Sequence, residues 1–107
     1  MINVEPPTAS FPAAGGNSVH SIVSESESRL AFKVKSSNNE HYRVRPVYGF
    51  VDAKGNAKLE INRMAGPARD DKIVVQYAEV PVEETDPMAP FKAGAQQGEV
   101  IVKLTAA

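Results

Sequence analysis

The chain has 107 residues, 42% of them hydrophobic, which suits one domain with a single core over residues 1–107. A formal net charge of −1 argues against nucleic acid as a partner, and the absence of cysteine excludes a disulfide framework and thiolate chemistry. No apolar run approaches the roughly 20 residues of a membrane-spanning helix, and no signal-like segment opens the chain. We therefore predict a soluble, cytoplasmic domain without membrane insertion.

Short strands are predicted in the first third of the chain from period-two alternation and intervening turn residues. They cover Met1–Val4, Thr8–Phe11, Ser18–Ser24 and Arg29–Ser36. Pro12–Asn17, which contains two adjacent glycines, is predicted as a loop. In Ser18–Ser24 the alternation leaves open which set of side chains faces the core.

The stretch Leu30–Gly49 is the most informative, because it joins two alternating patterns through a polar turn. Lys33 and Lys35 fall on the face opposite the apolar side chains of the first pattern. Arg43 and Arg45 do the same in the second, so the exposed side of this stretch is predicted to be positive.

Pro46 removes a backbone donor after Arg45 and is predicted to mark a kink where a strand changes sheets. Gly49 is predicted to permit a sharp bend. The remaining strands are predicted at Tyr42–Arg45, Tyr48–Val51, Ala57–Met64, Lys72–Val80 and Glu99–Thr105.

The region Pro81–Gly98 departs from this pattern, being long, acidic and interrupted by prolines. One helical turn is predicted over Asp86–Phe91, with Asp86 as its cap and Pro87 at its first position. Because seven or so short strands dominate the rest, the fold class is predicted to be all-β, an antiparallel sandwich.

The sequence offers little for reaction chemistry. His20 and His41 are far apart, and no spacing brings carboxylates to them as metal ligands. No serine lies in a nucleophile-elbow context, the acidic loop lacks the spacing of a calcium loop, and the glycines do not follow a phosphate-binding pattern. We predict no catalytic residue, no metal site and no cofactor, so the protein is not expected to be an enzyme.

The motifs FKVKSS, YRVRP and the glycine after them, followed by VDAKGNAKLEI, resemble the major sperm protein (MSP) domain family. The match is strongest over 29–62, and the chain is most similar to the small single-domain, sperm-specific MSP-like proteins of nematodes. This resemblance implies an immunoglobulin-like, seven-stranded sandwich (MSP/PapD-like). It also implies a function carried by protein contacts.

Two modes of contact follow from the resemblance. Major sperm proteins assemble into dimers and filaments that drive sperm crawling, whereas the related VAP domains bind acidic peptides known as FFAT motifs. Carried over position by position, the peptide-binding residues are Lys35, Ser36, Ser37 and Lys72. Val74 stands where those binders usually place a methionine, and the shorter side chain offers less contact area.

Arg43 and Arg45 add guanidinium groups suited to carboxylate contacts, although alternating charges on an open sheet also serve solubility alone. The predicted function is a non-enzymatic interaction or self-assembly domain, associated with the cytoskeleton of sperm. Its partners are proteins, including further copies of itself in a homodimer or filament that form through an edge strand or a surface loop. The alternative is an adaptor that binds acidic FFAT-like peptides on its cationic sheet face.

Overall fold

Two β-sheets face each other in the computed structural model, which describes residues 2–107. Within these residues, nine strand segments and one helical turn follow in chain order. They are β1 (Ile2–Glu5), β2 (Thr8–Phe11), β3 (Gly15–Ser24), β4 (Leu30–Ser36), β5 (Tyr42–Arg45), β6 (Tyr48–Val51), β7 (Asn56–Met64), β8 (Asp70–Glu79), α1 (Ala89–Lys92) and β9 (Gly98–Ala106). The all-β prediction is confirmed.

One sheet has four strands in the order β1-β3-β7-β5, and the other has five in the order β2-β9-β8-β4-β6. All neighbouring strands are antiparallel except β2 and β9, which are parallel. The nine segments correspond to the seven strands of the predicted sandwich, because two strands run through both sheets.

These two crossings occur at prolines. β1 passes into β2 at Pro6, and β5 passes into β6 at Pro46, each proline following a cis peptide bond. The predicted change of sheets at Pro46 is therefore confirmed. As a consequence β5 and β6 lie in different sheets although two residues separate them.

Side chains of alternate residues fill the space between the sheets. Phe32, Tyr42, Ile61 and Leu104 are each at most 1% exposed, and fully burying an apolar side chain of this size contributes roughly 1.5–3 kcal/mol. In β3 the inward set is His20, Ile22 and Ser24, which settles the facing that the sequence left open.

The long strands set the shape of the domain. β3 and β8 have ten residues each and so extend over about 30 Å. The domain measures 42 × 24 × 18 Å, and only its long axis accommodates such strands. The strands therefore run along the long axis, and loops lie at its two ends.

Several predicted boundaries shift. The predicted loop Pro12–Asn17 is shorter than expected, because Gly15 donates its N–H to the Pro12 carbonyl at 3.0 Å and β3 begins there. β8 begins at Asp70 instead of Lys72. In the predicted first strand, Met1 lies outside the described residues, and the strand extends to Glu5.

The predicted helical turn lies further along the chain. Asp86 accepts the Met88 N–H on its carboxylate at 3.0 Å and the Ala89 N–H on its carbonyl at 3.2 Å. These bonds close a tight turn, so the helix begins after it, with Met88 as N-cap and Pro90 in the first turn. Between residues 2 and 107, no helix has the length and apolar character needed to cross a membrane.

Candidate protein-binding surface

Four lysines project from the outer side of the five-stranded sheet and define what we call the lysine face. They are Lys33 and Lys35 on β4, Lys72 on β8 and Lys103 on β9. Five ion pairs join side chains of residues 2–107, and these lysines belong to none of them. Asp70 on β8 and Glu99 on β9 share the outward phase but form no ion pair with these lysines, so the face has an excess of positive charge.

The register places two of these cations directly opposite each other. Lys72 pairs with Lys103 across β8 and β9, and like charges directly opposite each other destabilise a sheet. An anionic group bound between them would relieve this repulsion. An acidic ligand would therefore stabilise the lysine face most at this pair.

An apolar strip runs beside the lysine pair. Val74 lies between Lys35 on one neighbouring strand and Ile101 on the other. Ile101 is 46% exposed. The lysine face therefore offers both charge and apolar contact, although Val74 and Ile101 form a shallow surface and not a deep pocket.

The predicted hydroxyl residues lie at the end of β4, next to Lys72. The Ser37 hydroxyl donates to Asp71 Oδ1 at 3.0 Å and accepts the Lys72 N–H at 2.9 Å. The Ser36 hydroxyl accepts the Asn38 N–H at 3.1 Å. Both hydroxyls thus serve the fold, which leaves the lysines as the groups that are free to meet a ligand.

A buried carboxylate fixes this corner and was missed by the sequence reasoning. The Asp71 side chain is only 1% exposed and lies 3.2 Å from Arg69 Nη2. It also accepts hydrogen bonds from the Ser37 hydroxyl and, at 3.2 Å, from Asn38 Nδ2. A buried carboxylate needs such partners, so Asp71 holds the turn that positions Lys35 and Lys72. The sequence did indicate that this side chain is buried, because Asp71 shares the inward phase of Ile73 and Val75.

Arg43 and Arg45 lie on the other side of the sandwich. They belong to β5 of the four-stranded sheet, opposite Asn62 and Glu60. Arg45 Nη2 lies 3.6 Å from Glu60 Oε2, and Arg43 donates to the carbonyl oxygens of Asn39 and Tyr42. The structure therefore divides the predicted residues between two faces and corrects the expectation of a single cationic patch.

Lys58 also contacts Glu60, with Nζ 3.1 Å from Oε1. The hydrogen bond and charge of Lys58 lower the pKa of Glu60, with a smaller contribution from Arg45 and an opposing effect of burial. The carboxylate is thus held ionised by neighbours on its own sheet. This ion-paired cluster contrasts with the lysine face, whose four lysines belong to no ion pair within residues 2–107.

The histidines have structural environments. His20 is buried, with Nδ1 2.7 Å from the Pro6 carbonyl and Nε2 2.7 Å from the Ser18 hydroxyl. His41 packs against Gly66, where an added Cβ would lie 2.2 Å from the ring. In the described part of the chain, no group of three or more histidine, cysteine or acidic side chains is placed to hold a metal ion.

The comparisons with known proteins agree with this architecture. The sequence matches the family described as the MSP (major sperm protein) domain over residues 1–100. The chain belongs to the MSP domain family. This MSP domain is 80% identical over 107 residues to sperm-specific class P protein 34 of Caenorhabditis elegans, with full coverage of both chains.

Two solved structures resemble the fold of this chain. A C. elegans MSP family member, WR4, matches this MSP domain with a TM-score of 0.98 at 80% identity, covering 100% of this chain and 98% of that one. PapD-like domain 7 of human CEP192 matches with a TM-score of 0.64 at 9% identity, covering 99% and 84%. The second likeness concerns the fold alone. Together they confirm the predicted MSP/PapD-like, immunoglobulin-like fold.

Proposed function

We propose that this MSP domain is a non-enzymatic component of the sperm cytoplasm that acts through protein contacts, chiefly by assembling with further copies of itself in association with the cytoskeleton. The sperm-specific names of its relatives support the setting. The observation that carries the proposal is a mismatch of charge. The whole chain has a net charge of −1, whereas the lysine face has four lysines against two outward acidic side chains, so matching negative charge lies elsewhere on the same molecule.

The sheet edges are less suited to self-association than the lysine face. Each of the four edge strands, β1, β5, β2 and β6, has only four residues. Short edges offer few unpaired backbone groups, and proteins use them to prevent edge pairing. We therefore assign assembly to the lysine face and not to an added strand.

Light scattering across a concentration series tests assembly. The particle mass is expected to rise with protein concentration and to fall when salt screens the charged contact. A strictly monomeric particle at high concentration and low salt would count decisively against self-assembly.

A second candidate function is the binding of an acidic, FFAT-like peptide around Lys35, Ser36, Ser37 and Lys72. Its support is that these residues are neighbours at one corner of the lysine face. Because the two hydroxyls are engaged within the fold, the ammonium groups would provide most of the attraction. The short Val74 side chain would give weaker apolar contact than a methionine.

Peptide titration tests this candidate with a matched pair of variants. Lys35→Asp is expected to remove salt-sensitive binding of an acidic FFAT-like peptide, whereas Arg43→Asp, with the same charge change on the opposite face, is expected to preserve it. Equal binding by Lys35→Asp and the unmodified protein would rule out this site.

A further inference from the structure

The turn Pro81–Glu84, just after β8, presents an unusual side chain. Glu84 donates its N–H to the Pro81 carbonyl at 3.1 Å, so Val82 and Glu83 occupy the centre of the turn. Val82 is 82% exposed, more than the other large apolar side chains named as exposed in residues 2–107. The tip of this turn therefore combines an apolar side chain with a neighbouring carboxylate.

Arg29 holds this turn in place. Its Nη1 donates to the carbonyl oxygens of Val82 at 3.1 Å and Glu84 at 2.8 Å. Its guanidinium carbon lies 3.8 Å from the centre of the Phe50 ring, and its Nε lies 3.6 Å from Asp52 Oδ1. Because the turn is fixed before any partner arrives, docking it would require little additional ordering.

Two carboxylates close to Val82 in sequence lack cationic partners within residues 2–107. Glu79 and Glu83 are exposed and take part in none of the ion pairs there. The Glu84 carboxylate instead accepts the N–H groups of Thr85 and Asp86 at 3.1 and 3.3 Å. Glu79 and Glu83 therefore remain as free acidic groups that precede and follow the valine in sequence.

We propose that the Pro81–Glu84 turn of one copy docks on the lysine face of a second copy. Val82 would contact the strip formed by Val74 and Ile101, and the two free glutamates would approach the Lys72–Lys103 pair. This contact rests on the proposed self-assembly and names its two surfaces. The match combines charges of opposite sign with apolar side chains on both surfaces.

The turn cannot reach the lysine pair of its own chain. Lys72 and Glu79 are seven residues apart on β8, which corresponds to about 23 Å of extended strand. The turn lies beyond Glu79, at the other end of the long axis. Contact is therefore between molecules and head-to-tail, and such a contact forms an open chain when its rotation does not close into a ring.

Two double variants test this geometry. Glu79→Lys/Glu83→Lys disables the turn and keeps the lysine face, whereas Lys72→Glu/Lys103→Glu disables the face and keeps the turn. All four residues are exposed, so both variants are expected to fold, which circular dichroism checks. Val82→Ser removes the apolar side chain of the turn, and Lys103→Gln removes one charge of the face without reversing it. Glu5→Lys on β1 of the other sheet serves as the charge control.

Sedimentation velocity gives the result. Each double variant alone is expected to associate at least about tenfold more weakly than the unmodified protein, since a charge pair at an interface becomes repulsive. In an equimolar mixture of the two, the unchanged turn meets the unchanged face and the lysine-bearing turn meets the glutamate-bearing face, so both contacts pair opposite charges and assembly is expected to recover. The Glu5→Lys control is expected to assemble normally.

Other outcomes separate the two proposals. If the unmodified protein assembles and both double variants assemble equally well, the turn-to-face contact is wrong while self-assembly stands. If the equimolar mixture fails to recover assembly although each variant is folded, the contact is also wrong. If the unmodified protein stays monomeric under all conditions, the proposed self-assembly itself fails.

Discussion

Gly49 shows how one missing side chain serves the core. The sequence predicted a bend at this glycine, but the residue lies within β6, paired with Phe32 of β4. A Cβ built at Gly49 would lie 2.6 Å from Phe32 Cζ. Phe32 is 1% exposed and has no space to move, so the glycine is required by packing.

Gly49→Ala is therefore expected to lower the free energy of unfolding by roughly 1–3 kcal/mol, the range for overpacking a core. Urea unfolding measures the change. Gly16→Ala is the control, because its added Cβ would lie 3.5 Å from Pro12 Cδ, an ordinary contact, and little loss is expected there. Equal stability of the two variants would contradict the packing explanation.

At this scale the sequence predicted side-chain direction better than side-chain environment. Lys33 and Lys35 point outward as their alternation indicated. Asp71 and Arg63 share the inward phase of their strands, but a charged residue at an inward position gives no indication of its partners. Those partners, such as the carbonyl oxygens of Gly66 and Pro67 for Arg63, come from loops whose path depends on the complete fold.

Among the elements, the Pro81–Glu84 turn depends on Arg29, a residue 53 positions from Val82 in sequence. Arg29 also stacks on Phe50. Hydrogen bonds from a charged donor typically contribute about 1.5–3 kcal/mol each. The turn is therefore held by a guanidinium distant in sequence in addition to its own bond from Glu84 to Pro81.

Arg29→Ala is expected to raise hydrogen exchange at the Glu84 amide at least about tenfold, since the amide would no longer be held against the Pro81 carbonyl. Exchange followed by NMR measures this effect. Arg45→Ala removes a largely exposed guanidinium on the other sheet and is expected to leave Glu84 unchanged. Unchanged exchange in Arg29→Ala would show that the turn is ordered by other contacts.

Strands were easier to predict than the helical turn. Tyr42–Arg45 and Tyr48–Val51 agree with β5 and β6, because alternation and the proline between them are local features. The helix was placed too early, because Asp86 followed by proline is equally compatible with a cap and with a tight turn. The choice between them depends on bonds to Met88 and Ala89 that residue type alone does not specify.

The molecule as a whole is tied together by the two strands that cross between its sheets. Through β1 with β2 and β5 with β6, each sheet shares continuous chain with the other. Losing one sheet would expose core side chains such as Ile22 and Val75 to water. The two sheets are therefore expected to unfold together.

Native-state hydrogen exchange with increasing denaturant measures this cooperativity. Amides of Ile22 and Ile61 in the four-stranded sheet are expected to converge on the same free energy of opening as those of Val75 and Val102 in the five-stranded sheet. Earlier loss of protection in one sheet would contradict a single cooperative unit.

The division of the cations belongs to this scale and was beyond local reasoning. Arg43 and Arg45 follow Lys33 and Lys35 closely in sequence and have the same outward phase. β4 and β5 lie in different sheets, however, so their outward side chains point to opposite sides of the sandwich. Alternation specifies a face of one strand, whereas only the topology specifies which sheet that strand joins.

The 42 Å long axis gives the proposed head-to-tail contact a measurable dimension. If subunits stack end to end, the axial rise per subunit in a filament cannot exceed this length by more than the thickness of the contact. Side-by-side stacking would instead give a rise close to the 24 or 18 Å widths. The meridional spacing in the power spectrum of electron micrographs would therefore distinguish end-to-end from side-by-side packing.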